Sequence, residues 1–148
     1  MNNLNIIVAP YSKLLSKEDF KNLYLPKKAN DSDVAYDCFA REIKITSEFV
    51  EYFLGFKIQV PEKYGAFLAA RSSCSKHNLT LANGIGIIDP YYKDEVRARF
   101  YYNEKSKFYN IGDRVAQIFI LPIPEINFIF KSELNDNCFR GGFGSTGN

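Results

Sequence analysis

Asp89 closes an apolar run and stands directly before Pro90. A carboxylate at such a strand end can position or deprotonate a water molecule; it can equally do no more than stop the strand. Arg71-Ser72-Ser73 sits between a strand candidate and a turn. One guanidinium and two hydroxyls there can hold phosphate oxygens through charge-assisted hydrogen bonds, and an ordinary polar turn has the same composition. The run before Asp89 reads Asn83-Gly84-Ile85-Gly86-Ile87-Ile88. Asn-Gly signals a hairpin turn, while two glycines in an apolar stretch let a ligand come close to the backbone. Gly112-Asp113-Arg114-Val115-Ala116-Gln117 reads as a turn entering a strand. Strict alternation would put Asp113, Val115 and Gln117 on one side and Arg114 and Ala116 on the other. Gln117 lies in an apolar stretch and needs hydrogen-bond partners if buried.

The elements that must carry these residues are mostly strands. A short strand is expected over Leu4 to Val8, then a short helix capped by Ser16 and running to Leu23, with Asp19 completing a capping box. Pro26 ends it, and 27–33 read as a loop. Strands are expected over Val34 to Ala40, Phe49 to Val60, Gly65 to Ala70, within Asn78 to Ile88, and over Val115 to Leu121. Val96 to Phe100 alternates cleanly, so Val96, Ala98 and Phe100 should share a face, with Arg97 and Arg99 on the other, at a subunit contact or in solvent. Pro122 and Pro124 move the segment after them to an edge or a loop. Many short strands with frequent turns, and no alternation of strand with helix, indicate an all-β sandwich or jelly-roll-like barrel.

The chain has 148 residues, enough for one domain with a sizeable core, and 46% are apolar. Its 19 basic and 17 acidic side chains leave a net charge of +2. That balance does not suggest a stable complex with nucleic acid, which usually needs a basic stripe. No stretch is long and apolar enough to span a membrane, and no secretory leader is evident, so the expected compartment is the cytoplasm. Cys38, Cys74 and Cys138 show no metal-ligand spacing and read as reduced packing residues. His77 reads as structural or as part of a subunit contact. From Asn135 onward strand character is lost, and Gly141, Gly142, Gly144 and Gly147 make that end costly to order. On composition alone it is a frayed terminus rather than a lid.

Taken together, and in this order, these segments resemble the five motifs of the trimeric deoxyuridine triphosphatases. Ala35-Tyr36-Asp37 is similar to the first, Arg71-Ser72-Ser73 to the second, and 83–96 to the third. Gly112 to Gln117 is similar to the fourth and Gly141 to Gly147 to the fifth. The resemblance spans nearly the whole chain and reverses the view of the tail. It implies a distorted jelly roll, or β-clip-like barrel, over 1–134. Residues 135–148 become a flexible Gly-rich lid in a homotrimer with shared sites. It implies hydrolysis of dUTP to dUMP and pyrophosphate, with Asp89 activating the water that attacks the α-phosphorus. Mg²⁺ would be held by Asp37 through its water shell. Arg71, Ser72, Ser73 and Gln117 would bind phosphates. Asn83 and the backbone at Gly86 would read uracil, and Tyr92 would pack under the deoxyribose. Phe143 would stack on the base, with Gly144, Ser145 and Thr146 reaching the phosphates.

Three positions depart from the family pattern. Asp94 stands where the family carries a glycine, Ala35 replaces another glycine, and Cys138 occupies the usual place of the tail arginine, with Arg140 just before Gly141. A substitute role for Arg140 at the γ-phosphate is expected. Two other functions fit the same motifs. A deoxycytidine triphosphate deaminase shares the fold, but its catalytic glutamate falls at Arg99 here, and a guanidinium cannot shuttle a proton. A catalytically impaired nucleotide-binding or regulatory homologue is the other.

Overall fold

Burial alternates along Arg97–Tyr101 as the sequence predicts: Val96, Ala98 and Phe100 are buried, while Arg97, Arg99 and Tyr101 face outward. The computed structural model describes residues 3–134, 141 and 142. Its strands are β1 (Ile7–Pro10), β2 (Tyr36–Phe39), β3 (Glu42–Ile45), β4 (Phe49–Phe53), β5 (Phe56–Gln59), β6 (Tyr64–Ala70), β7 (Thr80–Leu81), β8 (Gly86–Ile88), β9 (Arg97–Tyr101) and β10 (Arg114–Pro122). One helix, α1 (Lys17–Leu23), and a 3-10 helix over Ser72–His77 complete the described elements.

The strands pair antiparallel in three sheets, ordered β1-β5, β2-β10-β6-β8 and β3-β4-β9-β7. The expected all-β character holds, and among the described residues no sheet closes on itself. One apolar cluster joins the two four-stranded sheets and β5, with Tyr52, Phe56, Phe100, Val50 and Val115 fully buried. Burying a ring such as Phe100 contributes about 2–3 kcal/mol relative to leaving it in water.

The helix starts where expected. Ser16 accepts a hydrogen bond from the Asp19 backbone N–H at 3.0 Å. The Asp19 carboxylate accepts a hydrogen bond from the Ser16 hydroxyl at 2.6 Å, in place of the Ser16 backbone N–H of a full capping box. Four expectations are corrected. The first strand lies later, over Ile7–Pro10, where it pairs with β5. Glu42–Ile45 is a strand that the sequence did not announce. The run Phe49 to Val60 is two strands in different sheets, broken at Gly55, whose φ is +80°. β7 and β8 flank Asn83-Gly84 but also belong to different sheets, so the turn there switches sheets and does not close a hairpin.

Strand β10 breaks its own alternation. A bulge between Arg114 and Ala116 in the pairing with β2 leaves both Val115 and Ala116 fully buried, because two residues there oppose one on the partner strand. Cys38 is buried and Cys74 partly so, both as free thiols. Burial, then the neighbouring Asp37 charge, pushes the Cys38 thiol up from its ordinary value. The His77 ring stacks on Tyr109 with centroids 3.9 Å apart.

Candidate active site

Strand pairing brings three of the motif segments together. Asp37 on β2 stands opposite Gln117 on β10, and Gln117 stands opposite Ala69 on β6. Strand β6 ends one residue later at Ala70, so Arg71 and Ser72 emerge beside the same pair. A cleft of about 560 Å³ results, lined by Asp37, Arg71, Ser72 and Gln117 together with Asn30, Asp33 and Phe119.

The charges in this cleft are tied to one another. Asp37 is 9% exposed. Its Oδ1 accepts from Arg71 Nε at 2.8 Å and its Oδ2 from Arg114 Nη1 at 3.4 Å. Arg71 Nη1 also donates to Ser73 Oγ and to the Arg114 carbonyl, each at 3.2 Å. Gln117 Nε2 donates to the Ala70 carbonyl at 3.0 Å, which satisfies one of its two amide protons. The Arg71 guanidinium, with Arg114 beside it on Asp37, can take phosphate oxygens through charge-assisted hydrogen bonds, and the Asp33 and Asp37 carboxylates balance the two positive charges. Arg114 escaped the sequence reading because alternation assigned it away from Gln117; the bulge at Val115 lets it reach Asp37. Tyr109 escaped as well, since its contact with Ser73 spans 36 residues of sequence.

The second group forms around the loop after β7. The Gly84 N–H donates to the Leu81 carbonyl at 3.0 Å, and Gly84 has φ +68°. A Cβ on Gly86 would meet Leu68 Cβ at 3.2 Å and Asn83 Nδ2 at 3.7 Å, so the Asn83 amide lies over this glycine. Asp89 follows β8 and is exposed; its carbonyl accepts from the Tyr92 N–H at 3.1 Å. The Tyr92 hydroxyl donates to the Glu95 carbonyl at 3.1 Å, and burial, then the Asp94 charge, raises that phenol above its ordinary value.

Two of the departures have structural accounts. The Asp94 carboxylate accepts from the Glu95 backbone N–H at 2.7 Å and pairs with the Arg97 guanidinium. The Glu95 N–H bond is the first cause holding the Asp94 carboxyl below its usual range. Asp94 therefore supports this turn by a side-chain bond. Ala35 is not among the positive-φ residues, so replacing glycine there carries no left-handed strain.

The two groups do not meet within one chain. They lie on opposite edges of the sheet β2-β10-β6-β8, and their registers are offset by about four residues. At ordinary strand spacings Asp89 and Asp37 are therefore roughly 20 Å apart. Arg140, Phe143, Gly144, Ser145 and Thr146 lie outside the described residues, as does Cys138. Arg99, at the deaminase glutamate position, reaches the Glu51 carboxylate at 3.4 Å and stacks over Phe49 at 4.0 Å.

Among the described residues no three carboxylate, imidazole or thiolate groups gather as a metal cage. Mg²⁺ does not need one, since it keeps several waters and uses one or two carboxylates plus substrate phosphates. Each Asp37 oxygen accepts one hydrogen bond from an arginine, which leaves acceptor capacity for a metal-bound water.

The chain is thus an antiparallel β protein with a polar cleft lined by Asp37, Arg71, Ser72 and Gln117 and a separate exposed carboxylate at Asp89. The family model described as dUTPase matches residues 21–147. The deoxyuridine 5'-triphosphate nucleotidohydrolase of Leifsonia xyli subsp. xyli is 37% identical over 131 residues, covering 83% of this chain and 85% of that protein. The structure of the Staphylococcus bacteriophage 80alpha dUTPase with dUPNHPP superposes with a TM-score of 0.72 at 22% identity, covering 98% of this chain and 99% of that one. A phage phi11 dUTPase of S. aureus, described as coordinating a structural Mg(II) ion, gives 0.69 at 20% identity over 90% and 100%. The chain belongs to the dUTPase family.

Proposed function

We propose that this chain hydrolyses dUTP to dUMP and pyrophosphate with Asp89 as the general base. The reaction follows from membership of the family. The residue assignments rest on one observation: Asp37, Arg71, Ser72 and Gln117, from three separated stretches of sequence, line a single cleft.

Asp89 takes a proton from water as the water oxygen attacks the α-phosphorus. The bond from that phosphorus to the α,β-bridging oxygen breaks, and pyrophosphate leaves with the bonding electrons. Ser72 donates a hydrogen bond to the bridging oxygen. Arg71 neutralises charge that grows on the leaving group, with Arg114 beside it. Gln117 offers its second amide proton to a phosphate oxygen. Asp37 would hold Mg²⁺ through a water molecule, and the bound metal would offset charge on the triphosphate. Asn83 and the backbone at Gly86 read the uracil edge, and Tyr92 packs under the deoxyribose and excludes a 2'-hydroxyl. Phe143 covers the base, Gly144, Ser145 and Thr146 reach the phosphates, and Arg140 reaches the γ-phosphate.

The site is shared. Because its halves stand on opposite edges of one sheet, the Asp89 edge of one chain faces the Asp37 edge of another within a homotrimer. The extended segment after β10 supports assembly: Phe128 and Phe130 are 95% and 93% exposed, and Ile126 and Ile129 lie between and beside them. Such a run of exposed apolar side chains is unusual unless a partner covers it. Residues 1–134 form the distorted jelly-roll body and 135–148 the lid. No described helix is long and apolar enough to cross a membrane, and we place the enzyme in the cytoplasm.

Incubating the protein with Mg²⁺ and dUTP, dCTP, dTTP or UTP tests this reading. Pyrophosphate should appear from dUTP alone. Ammonia from dCTP, or no turnover of any of the four, would overturn it.

A further inference from the structure

The Ser73 hydroxyl stands between the phosphate cleft and the core. It accepts from Arg71 Nη1 at 3.2 Å and lies 3.1 Å from the Tyr109 hydroxyl. Tyr109 is 4% exposed and is held on several sides. Its backbone N–H donates to the Tyr52 hydroxyl at 2.9 Å. Its ring stacks on His77 and meets Tyr52 edge-to-face at 5.9 Å. A phenol fixed this firmly selects one orientation for a serine hydroxyl, which otherwise has three staggered choices. Ser73 in turn defines where Arg71 Nη1 sits, while Asp37 holds Nε. With Nε and Nη1 committed, Nη2 makes no hydrogen bond among the described residues, and its donors can meet a ligand.

We propose that Tyr109 is a positioning residue for phosphate binding: through Ser73 Oγ it holds the Arg71 guanidinium in the pose that receives the triphosphate. This rests on Arg71 being a phosphate ligand. The residue acts on no reacting atom. It removes the freedom of a long side chain before the ligand arrives, so the ordering cost is met in the folded protein. The effect falls on the phosphate chain and leaves recognition of the nucleoside alone.

Tyr109→Phe deletes only the hydroxyl and keeps the ring, its stack and its edge contact. In the full-length protein with Mg²⁺, binding of the α,β-imido analogue of dUTP should weaken about fivefold, the equivalent of one ordinary hydrogen bond. Binding of deoxyuridine, which has no phosphate, should be unchanged. Ser73→Ala should give the same split, and the double variant should lose no more than either single one, because both cut the same chain of contacts. Unchanged affinity for the imido analogue in Tyr109→Phe would overturn the proposal. So would an equal loss for deoxyuridine, which marks a general structural defect, or additive losses in the double variant. If the unaltered protein fails to release pyrophosphate from dUTP, the functional reading fails instead, and the two failures are told apart.

Discussion

At the residue scale the proposed mechanism gives the two aspartates different work. Asp89 is exposed at a strand end, where water reaches it. Asp37 is buried between two arginines, where its charge organises theirs. Asp89→Asn keeps the shape and removes the base. It should lower kcat about a thousandfold while the affinity for the imido analogue of dUTP stays within about threefold; steady-state kinetics with calorimetry would show it, and near-normal kcat would remove Asp89 from its role. A second prediction concerns Tyr52, whose phenol is pushed up to about 12, chiefly by burial. The folded state holds that proton more tightly than the unfolded chain, whose tyrosines titrate near pH 10. Stability linked to Tyr52 is thus complete below pH 10 and is lost as pH rises through about 12. Urea denaturation at a series of alkaline pH values should show this decline, and Tyr52→Phe should flatten it. Arg71, Ser72 and Gln117 stand out in the sequence by residue type within short motifs, Asp37 only through the family resemblance, and the four line one cleft. Arg114 and Tyr109 do not stand out: a bulge turned one toward Asp37, and a contact over a long separation tied the other to Ser73.

At the element scale, strand identity was legible wherever one face alone is buried. β9 alternates because its outer face stays polar, and it was read to within a residue. Phe49 to Val60 reads as one strand because Val50, Glu51 and Tyr52 are buried in succession, which erases the period of two in β4, and β5, which does alternate, follows after only two residues. The break falls at Gly55, where a Cβ would meet Tyr24 Cγ at 2.8 Å and φ is +80°. The Glu95 carboxylate anchors this turn by accepting the Gly55 N–H at 2.8 Å, while Arg41 grips its two oxygens at 2.9 Å each. Gly55→Ala should destabilise the fold by about 2 kcal/mol or more, since it combines left-handed strain with a collision against a ring. Chemical denaturation at neutral pH measures it, and a loss under about half a kcal/mol would show that the turn relaxes freely.

At the scale of the whole molecule, the sheet order puts the Asp37 group and the Asp89 group on opposite edges of one sheet. No local pattern in the sequence states that β2 and β8 are opposite edges of one sheet; only the pairing of β10 and β6 between them makes them so. Removing 140–148 should leave the assembled body folded by sedimentation and lower kcat/KM for dUTP at least about a hundredfold, since closure over the base and phosphates would be lost; retained activity would refute the lid. The most direct test of a shared site is complementation. Asp89→Asn disables one edge and Arg71→Ala the other, so each variant alone should be nearly inactive. Mixed, unfolded and refolded together, they should recover a substantial fraction of normal pyrophosphate release from dUTP, because some interfaces then pair an intact Asp89 edge with an intact Arg71 edge. Mixed assemblies that form but stay as inactive as the separate variants would contradict a shared site.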